Sequence, residues 1–161
     1  MGPRAAATVE LAVDVLGKLK NDHAKVKELF DQFEHAEDAE ERATIIKTAL
    51  QELEVHAQLE ERILYPAFRE HLKEEDMIDE AFEEHHVVHL LIKELKGSRA
   101  KQGRRDAKFM VLVENVKHHI REEEGSLFPE VEGLDLDWEA LSAKVEKKRA
   151  QLESHGRRSK G

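Results

Sequence analysis

The densest chemistry in the chain lies in two stretches, HAQLEERILYP at residues 56–66 and HIREEEGSLFP at residues 119–129. Both fit the frame HxxxEExxxxP, with an aromatic residue before the proline, so His56, Glu60, Glu61 and Tyr65 match His119, Glu123, Glu124 and Phe128. Side chains four apart on a helix share one face at a separation of ~6 Å. Each HxxxE pair therefore offers an imidazole and a carboxylate to one point, a donor pair that suits iron, manganese or zinc. The absence of cysteine excludes disulfides, zinc–thiolate sites, iron–sulfur clusters and thiol nucleophiles.

A second repeat precedes each frame. DHAKVKELF at 22–30 resembles EHHVVHLLI at 84–92, aligning His23 with His85 and Val26 with Val88. The interval from His23 to His56 is 33 residues and that from His85 to His119 is 34, so the chain reads as two copies of a helical hairpin.

Apolar residues recur at spacings of three and four, and no segment keeps a period of two long enough for a strand. With 38% charged residues, 5% aromatics and three prolines, the composition favours long amphipathic helices. Five segments are predicted. The first runs from Thr8 to His35 with a bend or break near Gly17. The second runs from an Asp38 cap, with Glu41 completing a capping box, to His71 with a kink or break at Pro66. The third spans Glu75 to Lys96, the fourth Arg105 to Glu124 with a stop at Gly125, and a shorter fifth helix capped by Asp137 carries Trp138. This is an all-α chain, an antiparallel up-down-up-down four-helix bundle over residues 1–133, with a C-terminal helix and basic tail over 134–161 against its end or side.

Helical phase selects among the polar residues. Ile46, Ala49, Leu53, His56, Glu60, Ile63 and Ala67 follow one inward seam; Phe109, Leu112, Val116, His119 and Glu123 follow another. Ile78, Phe82, His85, His89 and Ile92 form the third, and Leu16, Leu19, His23, Val26, Phe30 and Phe33 the fourth. His118 and His86 fall on outward faces, and His35, His71 and His155 sit at helix ends or in the tail. A single inward histidine is ordinarily a hydrogen-bonded core residue, and an isolated HxxxE is ordinarily a surface pair. Here seven polar residues, His23, His56, Glu60, His85, His89, His119 and Glu123, share core positions at equivalent places in two repeats. Buried carboxylates cost several kcal/mol each when unpaired, and a metal centre relieves that cost. Seven ligands are too many for one ion, whereas two ions bridged by Glu60 and Glu123 use all of them. Tyr65 either places its hydroxyl near the centre, to tune it or donate a proton, or packs in the core with a hydrogen-bonded edge, and Glu61 and Glu124 are either alternative ligands or solvated; the second reading is preferred in both cases.

On these frames and their order the chain resembles the hemerythrin-like, HHE cation-binding family over about residues 10 to 130. The resemblance implies a four-helix bundle holding two iron ions in a non-haem, oxo- or hydroxo-bridged centre. Carried over, it puts His85, His89 and His119 on one iron, His23 and His56 on the other, and Glu60 and Glu123 between them, with dioxygen taken up at the iron of His23 and His56. Oxygen-carrying members end the last ligand pair as HxxxxD, whereas this chain offers HxxxE from His119, or HxxxxE if His118 serves instead. That departure leaves two functional expectations: a module that binds dioxygen or a related ligand for storage, delivery or sensing, and an enzyme that decomposes peroxide or nitric oxide. A metal-free helical interaction protein is the third.

The formal net charge of −9 opposes binding to nucleic-acid phosphates, and only the tail KKRAQLESHGRRSKG is locally basic. The N-terminal apolar stretch is interrupted by Glu10 and Asp14, too short for a membrane span and without a signal-peptide core. The expectation is a cytoplasmic protein.

Overall fold

The spacing of apolar residues translates directly into helices in the computed structural model of the chain, which describes residues 3–97 and 102–158. The long helices are α1 (Pro3–His35), α2 (Ala39–Leu59), α4 (Asp76–Gly97), α5 (Gln102–Glu122) and α7 (Trp138–Arg158); α3 (Tyr65–Arg69) and α6 (Phe128–Glu132) are short. No strand occurs among the described residues, and no helix there is long and apolar enough to cross a membrane. The Asp38 cap forms as expected, Asp38 Oδ1 accepting from Glu41 N–H at 2.7 Å. Glu41 reaches back to Glu37 N–H at 3.3 Å rather than to the cap residue itself. Asp137 Oδ1 likewise accepts from Ala140 N–H at 3.0 Å at the start of α7.

Two expected interruptions are absent and one is of a different kind. α1 passes through Gly17 without a break, and the chain stays helical through Gly125 to Glu132. At Pro66 and Pro129 the helix widens instead of breaking. A proline ring has no N–H and collides with the carbonyl four residues back. The turn ahead of each proline opens into a π turn, Glu60–Leu64 and Glu123–Leu127, in which Tyr65 N–H bonds to Glu60 C=O and Phe128 N–H to Glu123 C=O. Such one-turn π segments gather at functional sites. Here each opens on the glutamate of an HxxxE pair, six residues ahead of the proline that causes it.

α1 packs on α2 and α4 on α5. Within each pair the partners step in opposite senses: His23 meets His56 while Lys25 meets Glu52, and His85 meets His119 while Lys108 meets Glu94. α7 lies along α1 and α2. Two apolar clusters fill the interior. One contains Leu19, Leu59, Leu64, Tyr65, Phe68, Phe128, Trp138 and Leu141; the other contains Val26, Phe30, Leu53, Val88, Phe109, Val116 and Ile120. Trp138 and Leu141 thus join the first cluster, and the buried polar residues His23, His56, Glu60, His85, His119 and Glu123 come from the same helix turns as the boundary between the two.

Candidate metal centre

Four imidazoles and two carboxylates meet in the interior. His23, His56, Glu60 and Glu123 form one group and Glu60, His85, His119 and Glu123 a second, each with its donor atoms within 4.8 Å of one another. In the first, His23 Nε2 lies 3.2 Å from His56 Nε2 and 3.2 Å from Glu123 Oε1, and His56 Nε2 is 3.0 Å from Glu60 Oε1. In the second, His85 Nε2 lies 3.1 Å from His119 Nε2 and 3.3 Å from Glu60 Oε1, and His119 Nε2 is 3.0 Å from Glu123 Oε2. Glu123 turns one oxygen to each group, and Glu60 Oε1 lies between them.

The opposite ring nitrogens face an outer shell of acids. His56 Nδ1 is bonded to Asp22 Oδ2 at 2.9 Å and His119 Nδ1 to Glu84 Oε1 at 2.9 Å; in each repeat the acid immediately before the first histidine holds the second. His85 Nδ1 is bonded to Glu61 Oε2 at 3.0 Å, and the matching contact from His23 Nδ1 to Glu124 Oε2 is 3.6 Å, too long for a hydrogen bond. A carboxylate on Nδ1 fixes the tautomer and turns the Nε2 lone pair inward, as in metal-ligating histidines.

Two residues break this near-symmetry. Tyr65 donates its hydroxyl proton to Glu123 Oε2 and sits 3.3 Å from Nε2 of both His85 and His119. Its counterpart Phe128 stacks parallel on the His23 ring, centroids 6.0 Å apart. Burial, reinforced by the charges of Glu123 and Glu60, pushes the Tyr65 phenol well above its ordinary value, so it stays a proton donor. The second break is at Asp22, where the Arg149 guanidinium from α7 pairs with both oxygens at 3.0 and 2.8 Å.

The titrations follow from the same contacts. Burial pulls the His56 imidazolium down, but Glu60 and Asp22 outweigh it and raise its pKa to about 10. His119 is raised well above its usual value, with Glu123 and Glu84 overcoming burial, and His85 is raised by Glu60 and Glu61 against the same penalty. Burial opposes ionisation of Asp22 and Glu61, yet His56 and Arg149 lower the first and His85 and His89 the second.

His89 is not brought into either buried group. Four residues beyond His85 it has turned ~40° around the helix, its side chain is 40% exposed, and its Nε2 binds Glu61 Oε2 at 2.7 Å. Glu61, expected in solvent, instead joins His85 to His89. His118 points outward with 53% of its side chain exposed, 3.3 Å from Glu84. The pattern of helical phase passes over Asp22 and Glu84, although an acid immediately before His23 and before His85 in the two repeats is the signal that finds them.

The residues of each group fit a bound metal ion. Two donors bound side by side to one ion at ~2.1 Å stand ~3.0 Å apart, the spacing seen in both groups. Glu60 Oε1 and Oε2 and Glu123 Oε1 are buried without a hydrogen-bond partner, although His56 and His85 nitrogens lie 3.0 and 3.3 Å from Glu60 Oε1. Donors that approach one another without aligning to bond are converging on a common point. The hemerythrin HHE cation binding domain family matches residues 14–131.

The chain belongs to the hemerythrin family. The hemerythrin match takes in both repeats and all seven residues from His23 to Glu123, and stops before α7. A curated protein named DNA nickase, from Nostoc sp. (strain PCC 7120 / SAG 25.82 / UTEX 2576), is 27% identical over 110 residues, which cover 68% of this chain and 31% of that protein. The hemerythrin chain thus spans about a third of that relative's length. No solved structure matches it. Family membership and the two buried His/Glu groups together point to metal binding.

Proposed function

We propose that this hemerythrin-family chain is a non-haem di-iron protein that binds dioxygen or a related small ligand, for storage or for a redox or oxygen response in the cytoplasm. In this reading His23 and His56 would hold one iron and His85 and His119 the other, with Glu60 and Glu123 serving both in a non-haem centre of the oxo- or hydroxo-bridged kind. His89 would support the second iron at one remove, through Glu61, which is hydrogen-bonded to His85 Nδ1 at 3.0 Å. The helices run up-down-up-down, as the opposed stepping of contacts supports, with residues 1–133 forming the metal-binding bundle and 134–161 a C-terminal helix and tail.

The observation that carries the small-ligand reading is a cavity of about 40 Å³ against His23, His56, His85, His89 and His119, walled otherwise by Val26, Leu53, Val88, Val116 and Ile120. It has room for a molecule of very few heavy atoms. Its aliphatic walls suit a small uncharged guest, and its histidines give such a guest polar partners on one side. A bound iron pair would supply one-electron redox centres with a coordination position open to such a guest. The Tyr65 hydroxyl crowds the His85 and His119 side, which supports ligand uptake at the His23 and His56 side. The protonated phenol, hydrogen-bonded to Glu123 and next to both His85 and His119, also supports a second reading, an enzyme that decomposes peroxide or nitric oxide and draws on that proton. A metal-free helical interaction protein fits least, since it leaves the buried Glu60 oxygens without partners. The net charge of −9 opposes approach to a phosphate backbone, which weighs against the nicking activity in the relative's name.

The test is to reduce iron-loaded protein anaerobically, admit oxygen and then degas. A visible absorption that appears and reverses supports ligand binding, whereas irreversible oxidation with peroxide turnover supports the enzyme. No spectral response to oxygen, peroxide or nitric oxide overturns both.

A further inference from the structure

The four outer carboxylates are not equivalent. Among the described residues Glu84 is ion-paired with His118 and His119, Glu61 with His85 and His89, and Glu124 lies 3.6 Å from His23. Asp22 alone among these four is paired with a permanent cation. Arg149 Nη1 meets Oδ1 at 3.0 Å and Nη2 meets Oδ2 at 2.8 Å, the bidentate arrangement that fixes both the place and the plane of a carboxylate. The same Oδ2 accepts from His56 Nδ1 at 2.9 Å. Arg149, Asp22 and His56 thus form one chain of bonds from the C-terminal helix to an inward-facing Nε2. Arg149 and Asp22 are 24% and 16% exposed at their side chains, so bulk water screens the pair only partly. Arg149 stands three helical turns beyond Trp138, whose ring anchors α7 in the apolar cluster, and one turn beyond the buried Val145. The position of its guanidinium is therefore set by the docking of the whole helix.

From this we infer that Arg149 is a positioning residue for the His23 and His56 ion site, so that docking of α7 and metal occupancy at that site, but not at the His85 and His119 site, are coupled. The inference rests on the two-ion reading above. Coupling of this kind is reciprocal: if a docked helix favours the ion, the ion favours the docked helix by the same factor. The repeat gives an internal control, since Glu84 holds His119 in the matching way without an arginine.

The experiment is a Zn²⁺ titration of the metal-free full chain against a chromogenic chelator, which resolves stepwise affinities. Each variant is repeated in a His119→Ala background to isolate the His23 and His56 site. Loss of a partner in the shell behind a metal ligand weakens binding by ~10- to 100-fold. Arg149 acts one residue further out, so Arg149→Ala should weaken that site by about tenfold and leave the other within about twofold. Adding Arg149→Ala to Asp22→Asn should produce no further loss, because the arginine acts through the aspartate. Leu141→Ala, which loosens α7 elsewhere while keeping the arginine, should weaken the same site by less. Equal loss at both sites, no loss at either, or full additivity with Asp22→Asn overturns the inference. If Arg149→Ala does not fold, the wild-type chain still decides: Zn²⁺ loading should slow amide exchange in residues 141–152 of α7, and should fail to do so in Asp22→Asn. Unchanged exchange in the wild type overturns it. A wild-type chain that takes up no Zn²⁺ at all defeats the metal reading itself, a result distinct from two ions bound without preference for Arg149.

Discussion

Loading the centre should expel protons, and the geometry sets how many. His23 Nε2 and His56 Nε2 stand 3.2 Å apart, and His85 Nε2 and His119 Nε2 3.1 Å apart. At that distance a single N–H fits between two ring nitrogens, one donating and the other accepting. Each pair therefore holds one proton where an ion would sit, and a pair of ions must displace about two. The cost is appreciable. With His56 raised to about 10 by Glu60 and Asp22 against burial, removing its proton at about pH 7 costs ~4 kcal/mol, or ~10³ in apparent affinity. The assay is anaerobic calorimetric titration with Zn²⁺ in two buffers of different ionisation heat, repeated at several pH values. About two protons should appear per chain, or about three if a bridging hydroxide forms, and the affinity should rise by about tenfold per ion for each pH unit near neutrality. Release of fewer than about one proton per chain, with an affinity flat in pH, would refute the paired-histidine geometry.

Other outcomes follow from the same contacts. In metal-free protein the raised His56 contributes stability that is fully present below its unfolded value of ~6.5 and is lost as pH rises through about 10; thermal melts under chelator should fall across that window, and a rise would contradict it. His119→Ala should lose metal while His118→Ala keeps it, as read by elemental analysis; the reverse would move the ligand to the outward histidine. Tyr65→Phe leaves Glu123 Oε2 short of a donor and should destabilise the metal-free chain by ~1–3 kcal/mol without reducing metal content; loss of an ion would make the phenol a ligand. Phe68, fully buried against Tyr65 and Trp138, should cost ~3–5 kcal/mol on truncation to alanine in urea unfolding; a cost below about 1 kcal/mol would show that this end of the interior is loosely packed.

Much of the centre was legible because helical phase is strict. A residue is inward or outward by its angle, and the repeat supplies the same answer twice, which is why His119 separates from His118 and why Glu60 pairs with Glu123. What escaped depends on the third dimension. His89 shares the seam of His85 in a strip of threes and fours, but one turn of drift carries it to the rim, where Glu61 meets it. The π turns are written in the prolines, yet a proline alone does not say whether a helix breaks, kinks or widens. Tyr65 differs from Phe128 by one oxygen, and only the packing of α3 against the centre turns that oxygen toward Glu123. Arg149 lies 127 residues from Asp22, and no local pattern links them. The helix carrying Trp138 was legible as an element, but its reach to His56 was not.

The claim on which the rest stands is a two-ion centre built from these residues. Iron analysis of protein reconstituted anaerobically and desalted tests it most directly, with His56→Ala/Glu60→Ala as the comparison. The wild type should hold about two iron ions per chain and the double variant should lose at least about half of that iron. Fewer than about one ion per wild-type chain, or unchanged iron in the variant, would contradict it.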